Sequence, residues 1–123
     1  SVHQLGGFHV QGGSQPDRMR LKTQSRDCQQ AGCFALVLEC VPESLAAEIT
    51  AELSIPTIGI GAGADTDGQV LVMHDLLGLN PDFKPKFVRR YLDGNQLWLD
   101  AFNHYARDVR EGSFPAREER YAG

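Results

Sequence analysis

The stretch FALVLE, residues 34–39, decides the fold class of this chain, because five apolar residues are followed at once by a glutamate. A continuous apolar run of this length is typical of a strand buried on both faces in a parallel sheet. The next segment, Glu43 to Leu53, places Leu45, Ile49 and Leu53 four residues apart and so predicts an amphipathic helix. Since parallel strands need such a crossover, the sequence predicts a strand–helix unit of an α/β protein.

Further elements are predicted on both sides of this unit. Residues 1–16 are rich in glycine and predict a loop, and Asp17 to Ala31 predicts a helix that ends at Gly32. Thr57 to Gly61 and Val70 to Met73 predict two more strands, separated by a glycine-rich loop.

The pattern becomes helical from Pro85 onward. The sequence predicts one apolar helical face and, after Gly94, a second one on a helix that ends at Gly112 and Pro115. The first comprises Phe87, Val88, Tyr91 and Leu92, and the second, expected to be buried against a barrel or another subunit, comprises Trp98, Phe102, Tyr105 and Val109. The charged residues 116–123 are expected to be frayed.

The length then selects among α/β architectures. Three strands alone would leave two unpaired edges, and a complete (β/α)8 barrel needs about 250 residues, whereas the chain has 123. We therefore predict the C-terminal half of a (β/α)8 TIM barrel with C-terminal helices. This partial domain comprises residues 1–123. Residues 1–16 are predicted to form a loop on the active-site side, and residues 17–84 a helix and the last three strands with their connections. Residues 85–123 are predicted to form the C-terminal helices.

Composition and charge exclude several classes of protein. The 12 Lys and Arg against 16 Asp and Glu give a net charge of −4, which argues against nucleic-acid binding. No apolar run is long enough to span a membrane and no signal segment is visible, so a cytoplasmic protein is expected. Three cysteines without a Cys-x-x-Cys pair predict reduced, mostly buried thiols rather than disulfides or a zinc site.

Glu39 is the most informative single residue. As an ionisable residue directly after an apolar strand, it lies where the active sites of barrel enzymes are built, and a carboxylate there is able to act as a general base. Two structural roles remain open at this point, namely pairing with a nearby Lys or Arg and capping the next helix.

Two other patterns favour structural roles. The string Gly59 to Ala64 formally matches a dinucleotide-binding motif, but no helix follows it, so close approach to a small ligand or tight packing of the loop is the better interpretation. His74 and Asp75 stand at a predicted strand end, where neighbours point to opposite faces, so a hydrogen-bonded structural role is favoured over an acid–base or metal pair. No metal-ligand spacing connects His3, His9 and His104.

Several strings taken in order resemble the ketopantoate hydroxymethyltransferase family. They are ALVLECVP at residues 35–42, IPTIGIGAG at 55–63 and DGQVLVMHD at 67–75, together with GGFHVQG at 6–12 and PKFV at 85–88. The resemblance covers nearly the whole chain, and the departure is the polar helix from Met19 to Gln30.

The resemblance implies an enzyme of pantothenate and coenzyme A biosynthesis. Such an enzyme transfers a hydroxymethyl group from 5,10-methylenetetrahydrofolate to 3-methyl-2-oxobutanoate and releases 2-dehydropantoate. It implies that Glu39 is the catalytic base, that Mg²⁺ binds to carboxylates of the missing N-terminal half rather than to this chain, and that the full-length protein is a homo-oligomer. The implied partners are a small keto acid and a folate, and neither nucleic acid nor a membrane is expected. The chain is expected to be truncated and to be inactive by itself.

Two alternatives remain open. A related magnesium-dependent keto-acid lyase or mutase barrel would share the enolate chemistry. A non-catalytic standalone assembly or binding module would instead have an authentic start codon just before Ser1.

Overall fold

The computed structural model of the chain describes residues 10–123, which divide into two compact units. The first unit contains the described residues up to Leu71 together with Pro85–Val88, and the second contains Val72–Lys84 and Arg89–Gly123. The first unit holds α1 (Gln15–Gln30), β1 (Leu36–Glu39), α2 (Glu43–Glu52), β2 (Thr57–Ile60) and β3 (Gly68–Gln69). The second holds α3 (Met73–Leu76), α4 (Gly94–Glu111) and a 3₁₀ turn (Arg117–Glu119). The predicted α/β class is confirmed.

The three strands form a parallel sheet in the order β1-β2-β3. Leu36 pairs with Thr57 and Glu39 with Ile60, while Gly68 of β3 pairs with Ile58. Within the described residues β1 and β3 are therefore edge strands.

The apolar core lies on one face of this sheet. It is formed by β1, α2 and the loops that follow β1 and β2, and its buried members are Leu38, Val41, Leu45, Ala46, Ile49 and Ala62. On the other face of β1, Val37 is 57% exposed and Glu39 is exposed. The prediction that β1 is buried on both faces is thus wrong for the described residues, because side chains alternate along a strand and helices cover one face here.

Helix α1 is polar because ion pairs join it to α2. Arg18 contacts Glu48 at 2.7 Å, and Lys22 bridges Glu48 at 3.2 Å and Glu52. These polar side chains of α1 thus have partners on α2. The helix ends as predicted, since the Gly32 N–H donates to the Gln29 carbonyl at 3.0 Å and the Cys33 N–H donates to the Cys28 carbonyl at 3.1 Å. With Gly32 at φ +95°, this is a Schellman ending.

The third strand is shifted from its predicted position. Val70 to Met73 was the predicted strand, but β3 comprises Gly68–Gln69, and Met73 already begins α3. The Val70 N–H still donates to the Gly59 carbonyl at 2.9 Å, so pairing with β2 ends there. Val70 and Val72 are about half exposed, which shows that the apolar run does not enter the core.

The predicted helical face at Phe87, Val88, Tyr91 and Leu92 is also wrong, because residues 85–93 are not helical. The backbone N–H groups of Tyr91 and Gly94 donate to the carbonyls of Leu76 and Leu77, each at 2.8 Å. Pairing with the end of α3 replaces the hydrogen bonds that a helix would make four residues back.

Helix α4 is confirmed, and it ends at Gly112, whose φ is +76°. Its apolar stripe is not buried within the described residues: Trp98, Phe102, Tyr105 and Val109 are between 47% and 63% exposed. The tail, expected to be frayed, contains the 3₁₀ turn Arg117–Glu119, in which the Glu119 N–H donates to the Ala116 carbonyl at 3.1 Å and the Ala116 N–H donates to the Glu119 carboxylate at 2.7 Å.

Candidate functional site

The Glu39 carboxylate lies at the carboxyl end of β1 on the open face of the sheet. Strand alternation and the register of β1 and β2 place Val37, Ile58 and Ile60 on the same face. The candidate site is therefore a single carboxylate beside three aliphatic side chains.

Neither of the two structural roles considered for Glu39 is seen among the described residues. No ion pair formed within residues 10–123 includes Glu39. At the start of α2, Pro42 occupies the N-cap position and no side chain caps the helix. Glu39 is thus a carboxylate without a structural partner in this part of the chain.

A cleft of about 550 Å³ lies in the first unit, next to the loops that follow β1 and β2. It is lined by Val10, Cys40, Val41, Glu43, Gly61, Gly63, Pro85, Lys86 and Phe87. Burial, and then the charge of Glu39, raise the pKa of the Cys40 thiol above its ordinary value. The thiol therefore stays protonated at neutral pH and is a weak nucleophile.

The glycine string is explained by close packing. A side chain at Gly61 would meet the Phe87 ring at 3.1 Å, and one at Gly63 would collide with the Glu43 side chain. The Gln69 side chain amide donates to the Gly63 carbonyl at 2.8 Å and holds the loop. The string leads into β3 rather than into a helix, and the next helix begins only at Met73, so the preference for loop packing over a dinucleotide site agrees with the structure.

The histidines do not assemble into a site within the described residues. His74 and Asp75 lie in α3 rather than at a strand end, so the predicted placement is wrong. Their backbone groups make hydrogen bonds, with the Asp75 N–H donating to the Val72 carbonyl at 3.0 Å, whereas no side-chain hydrogen bond joins either to another described residue. His104 is exposed on α4, and His3 and His9 lie outside the described residues.

No group of three or more His, Cys, Asp or Glu side chains within residues 10–123 is arranged to hold a metal ion. The described residues thus do not fit the Mg²⁺ that the resemblance implies. Cys28, Cys33 and Cys40 are free thiols, but Cys33 is exposed and the other two are half-buried, so the prediction that they are mostly buried is wrong.

Sequence reasoning missed two features of the residues that line this cleft. Cys40 has a φ of +52°, a left-handed conformation that is uncommon for a residue with a side chain and that no residue type in LECVP indicates. Lys86 and Phe87 line the cleft although they were predicted on a helix. In the sequence, Pro85 was the sign that the segment containing Lys86 and Phe87 is irregular.

No helix within residues 10–123 is both long and apolar enough to cross a membrane.

Comparison with known proteins identifies relatives along almost the whole chain. The family model described as ketopantoate hydroxymethyltransferase matches residues 1–117. A 3-methyl-2-oxobutanoate hydroxymethyltransferase of Francisella tularensis subsp. tularensis (strain FSC 198) is 48% identical over 120 residues, which are 98% of this chain and 46% of that protein. The corresponding protein of Legionella pneumophila (strain Paris) is 51% identical over 121 residues, again 98% of this chain and 46% of the relative.

A third relative gives the same result. The 3-methyl-2-oxobutanoate hydroxymethyltransferase 2 of Bradyrhizobium diazoefficiens is 54% identical over 121 residues, covering 98% of this chain and 41% of that protein. The chain thus spans somewhat less than half the length of these relatives. With a family match over residues 1–117 and three such relatives, this chain belongs to the ketopantoate hydroxymethyltransferase family.

Proposed function

We propose that this chain supplies the catalytic base of a ketopantoate hydroxymethyltransferase, and that Glu39 is that base. The reaction consumes one water molecule: the one-carbon unit of 5,10-methylenetetrahydrofolate is transferred to 3-methyl-2-oxobutanoate as a hydroxymethyl group, which gives 2-dehydropantoate and tetrahydrofolate. The observation that carries the proposal is the placement of Glu39: an exposed carboxylate at the carboxyl end of a parallel strand, beside apolar side chains and without an ion-pair partner in the described residues.

The role of Glu39 follows from the chemistry of the keto acid. Its carboxylate accepts the proton from the carbon next to the carbonyl, and the electron pair of that C–H bond forms the enolate. The same carbon then forms the new bond to the one-carbon unit of the folate, while the two bonds from that unit to folate nitrogens break. Water supplies the hydroxyl group, and its other proton and the one taken up by Glu39 end on the folate nitrogens. The open sheet face suits this step, because Val37, Ile58 and Ile60 present no charge that would compete for the Glu39 carboxylate.

The open face of the sheet also supports a barrel. We propose that strands outside this chain pair with the free edges of β1 and β3 and close a (β/α)8 barrel. The chain would then form the C-terminal half of that barrel. The face that carries Val37 and Glu39 then becomes the barrel interior. Glu39 lies at the carboxyl end of its strand, where barrel enzymes build their active sites.

The Mg²⁺ that the resemblance implies is a separate proposal. Since the described residues contain no suitable cluster, its ligands are proposed to lie elsewhere in the complete barrel, and we derive no step through it. When bound, such an ion stabilises negative charge on the enolate oxygen.

The test uses a fused enzyme, in which the part of the Francisella relative that this chain does not match precedes Ser1. Deuterium exchange into 3-methyl-2-oxobutanoate reports proton abstraction without the folate. We expect Glu39→Gln to lower the exchange rate by about 10²- to 10⁴-fold while the circular dichroism spectrum and Tm are retained. Glu111→Gln, an exposed glutamate on α4, is the matched control and should exchange normally.

Exchange at a near-normal rate in the Glu39→Gln variant would remove Glu39 from the mechanism. The 123-residue chain alone is expected to show no magnesium-dependent exchange, because it would carry the base without the remaining site. Exchange by the isolated chain would contradict that expectation.

We further propose that the apolar stripe of α4 makes contacts between subunits of a homo-oligomer. Its aromatic side chains, Trp98, Phe102 and Tyr105, are more than half exposed, and aromatic residues are enriched in interfaces. In the fused enzyme, light scattering should show a smaller assembly for Trp98→Lys with Phe102→Lys, and an unchanged assembly for Arg107→Gln. An unchanged mass in the double variant would contradict the proposal.

A further inference from the structure

The backbone changes its course at Cys40, the residue that directly follows the proposed base. Cys40 is the one residue with a side chain that adopts a left-handed φ within residues 10–123, at +52°. Its N–H donates to the Ile60 carbonyl at 2.9 Å, and its carbonyl accepts from the Gln11 N–H, also at 2.9 Å. The turn is thus held to β2 on one side and to the segment before α1 on the other.

The left-handed residue separates two side chains that a regular strand would place together. In a continuous strand residues 39 and 41 lie on the same face of the sheet. Here Glu39 is exposed, while Val41 is 7% exposed and belongs to the core with Leu38. The change of face occurs at Cys40, which therefore allows Val41 to enter the core while Glu39 stays on the open face.

We propose that Cys40 is a positioning residue for the reaction, because its left-handed turn sets the direction in which the Glu39 carboxylate is presented to substrate. Strained backbone of this kind persists where surrounding contacts fix it, and it is concentrated at active sites. The inference rests on the proposed function, since it assigns to Cys40 an effect that acts through Glu39. The thiol itself takes no part, so the backbone conformation is the property to test.

Two variants of similar side-chain volume separate the turn from the thiol. Asn tolerates a left-handed φ, whereas the β-branched Val does not. In the fused enzyme we expect Cys40→Asn to retain kcat within about threefold, and Cys40→Val to lower kcat by on the order of 10- to 100-fold with an almost unchanged KM for the keto acid. A merely structural role would lower the amount of folded enzyme and would not separate these two constants.

A second pair tests the turn without changing Cys40, in case the Val variant does not fold. Gln11→Pro removes the N–H that donates to the Cys40 carbonyl, while Gln11→Ala keeps it. We expect kcat to fall in the Pro variant and to stay within about threefold in the Ala variant. Equal kcat values within either folded pair would overturn the inference.

The outcomes also separate this inference from the proposed function. If the unsubstituted fused enzyme shows no exchange while the Francisella relative does, the proposed function fails and the inference fails with it. If the fused enzyme exchanges and requires Glu39, but Cys40→Val and Gln11→Pro behave like their matched partners, the inference alone is overturned.

Discussion

Replacement of Gly63 by alanine tests the packing of the glycine string. Gly63 has a φ of +79°, and an added Cβ would lie 2.7 Å from the Glu43 Cβ and still closer to its Cγ. Neither is the far end of a flexible side chain, so the loop or the start of α2 has to move. Gly32, with φ +95° and no heavy atom within 4 Å of its added Cβ, is the matched control.

The expected cost has two parts. The left-handed conformation costs alanine about 1–2 kcal/mol, which applies to both glycines. Overpacking adds typically about 1–3 kcal/mol at Gly63 alone. We therefore expect Gly63→Ala to lower the free energy of unfolding by about 2–5 kcal/mol and Gly32→Ala by about 1–2 kcal/mol.

Urea denaturation of the 123-residue chain, followed by far-ultraviolet circular dichroism, measures both losses. Adding Glu43→Ala to Gly63→Ala removes the Cγ and Cδ atoms and should recover part of the difference. The packing argument is refuted if Gly63→Ala destabilises the chain no more than Gly32→Ala, or if Glu43→Ala gives no recovery.

Two further predictions concern polar contacts in the first unit. Thr57 is fully buried, and its N–H and hydroxyl donate to the Asp67 carboxylate at 2.8 and 3.2 Å. Because Thr57→Val removes the hydroxyl, it should lower the free energy of unfolding by about 1–3 kcal/mol, as measured by urea titration. A loss below about 0.5 kcal/mol would contradict this. The hydrogen bond from Lys22, followed by the charge of Arg18, lowers the pKa of Glu48 below its ordinary value of 4.5. The ionised Glu48 therefore stabilises the folded chain above pH 4.5, and this contribution is lost as the pH falls through the lowered pKa. Measured from about pH 6 to about pH 3, Tm should fall less steeply in Glu48→Gln than in the unsubstituted chain, and parallel curves would count against the ion-pair argument.

Local patterns predicted most of the regular elements. The apolar spacing of Leu45 and Ile49 indicated α2, and both side chains are buried. Gly32 and Gly112 indicated the ends of α1 and α4, because a left-handed residue after a helix favours glycine. The run before Glu39 gave β1 and placed Glu39 at its carboxyl end.

The errors occurred where contacts distant in sequence decide the backbone. Tyr91 is not helical because its N–H bonds to the Leu76 carbonyl, fifteen positions earlier in the chain. Val70 resembles a strand residue by composition, but the register of β3 against Ile58 places the paired residues earlier. Side-chain periodicity reports which residues are apolar and carries no information about which backbone groups will meet.

The sequence by itself determined the α/β class, the family and the choice of Glu39 as the candidate base, because these depend on residue types at fixed spacings along the chain. The tertiary structure alone decided that Glu39 shares an open face with Val37, Ile58 and Ile60, and that Cys40 turns the chain beside it. Those features depend on the pairing of β1 with β2 and on the hydrogen bond from Gln11 to Cys40, which form only when distant segments come together.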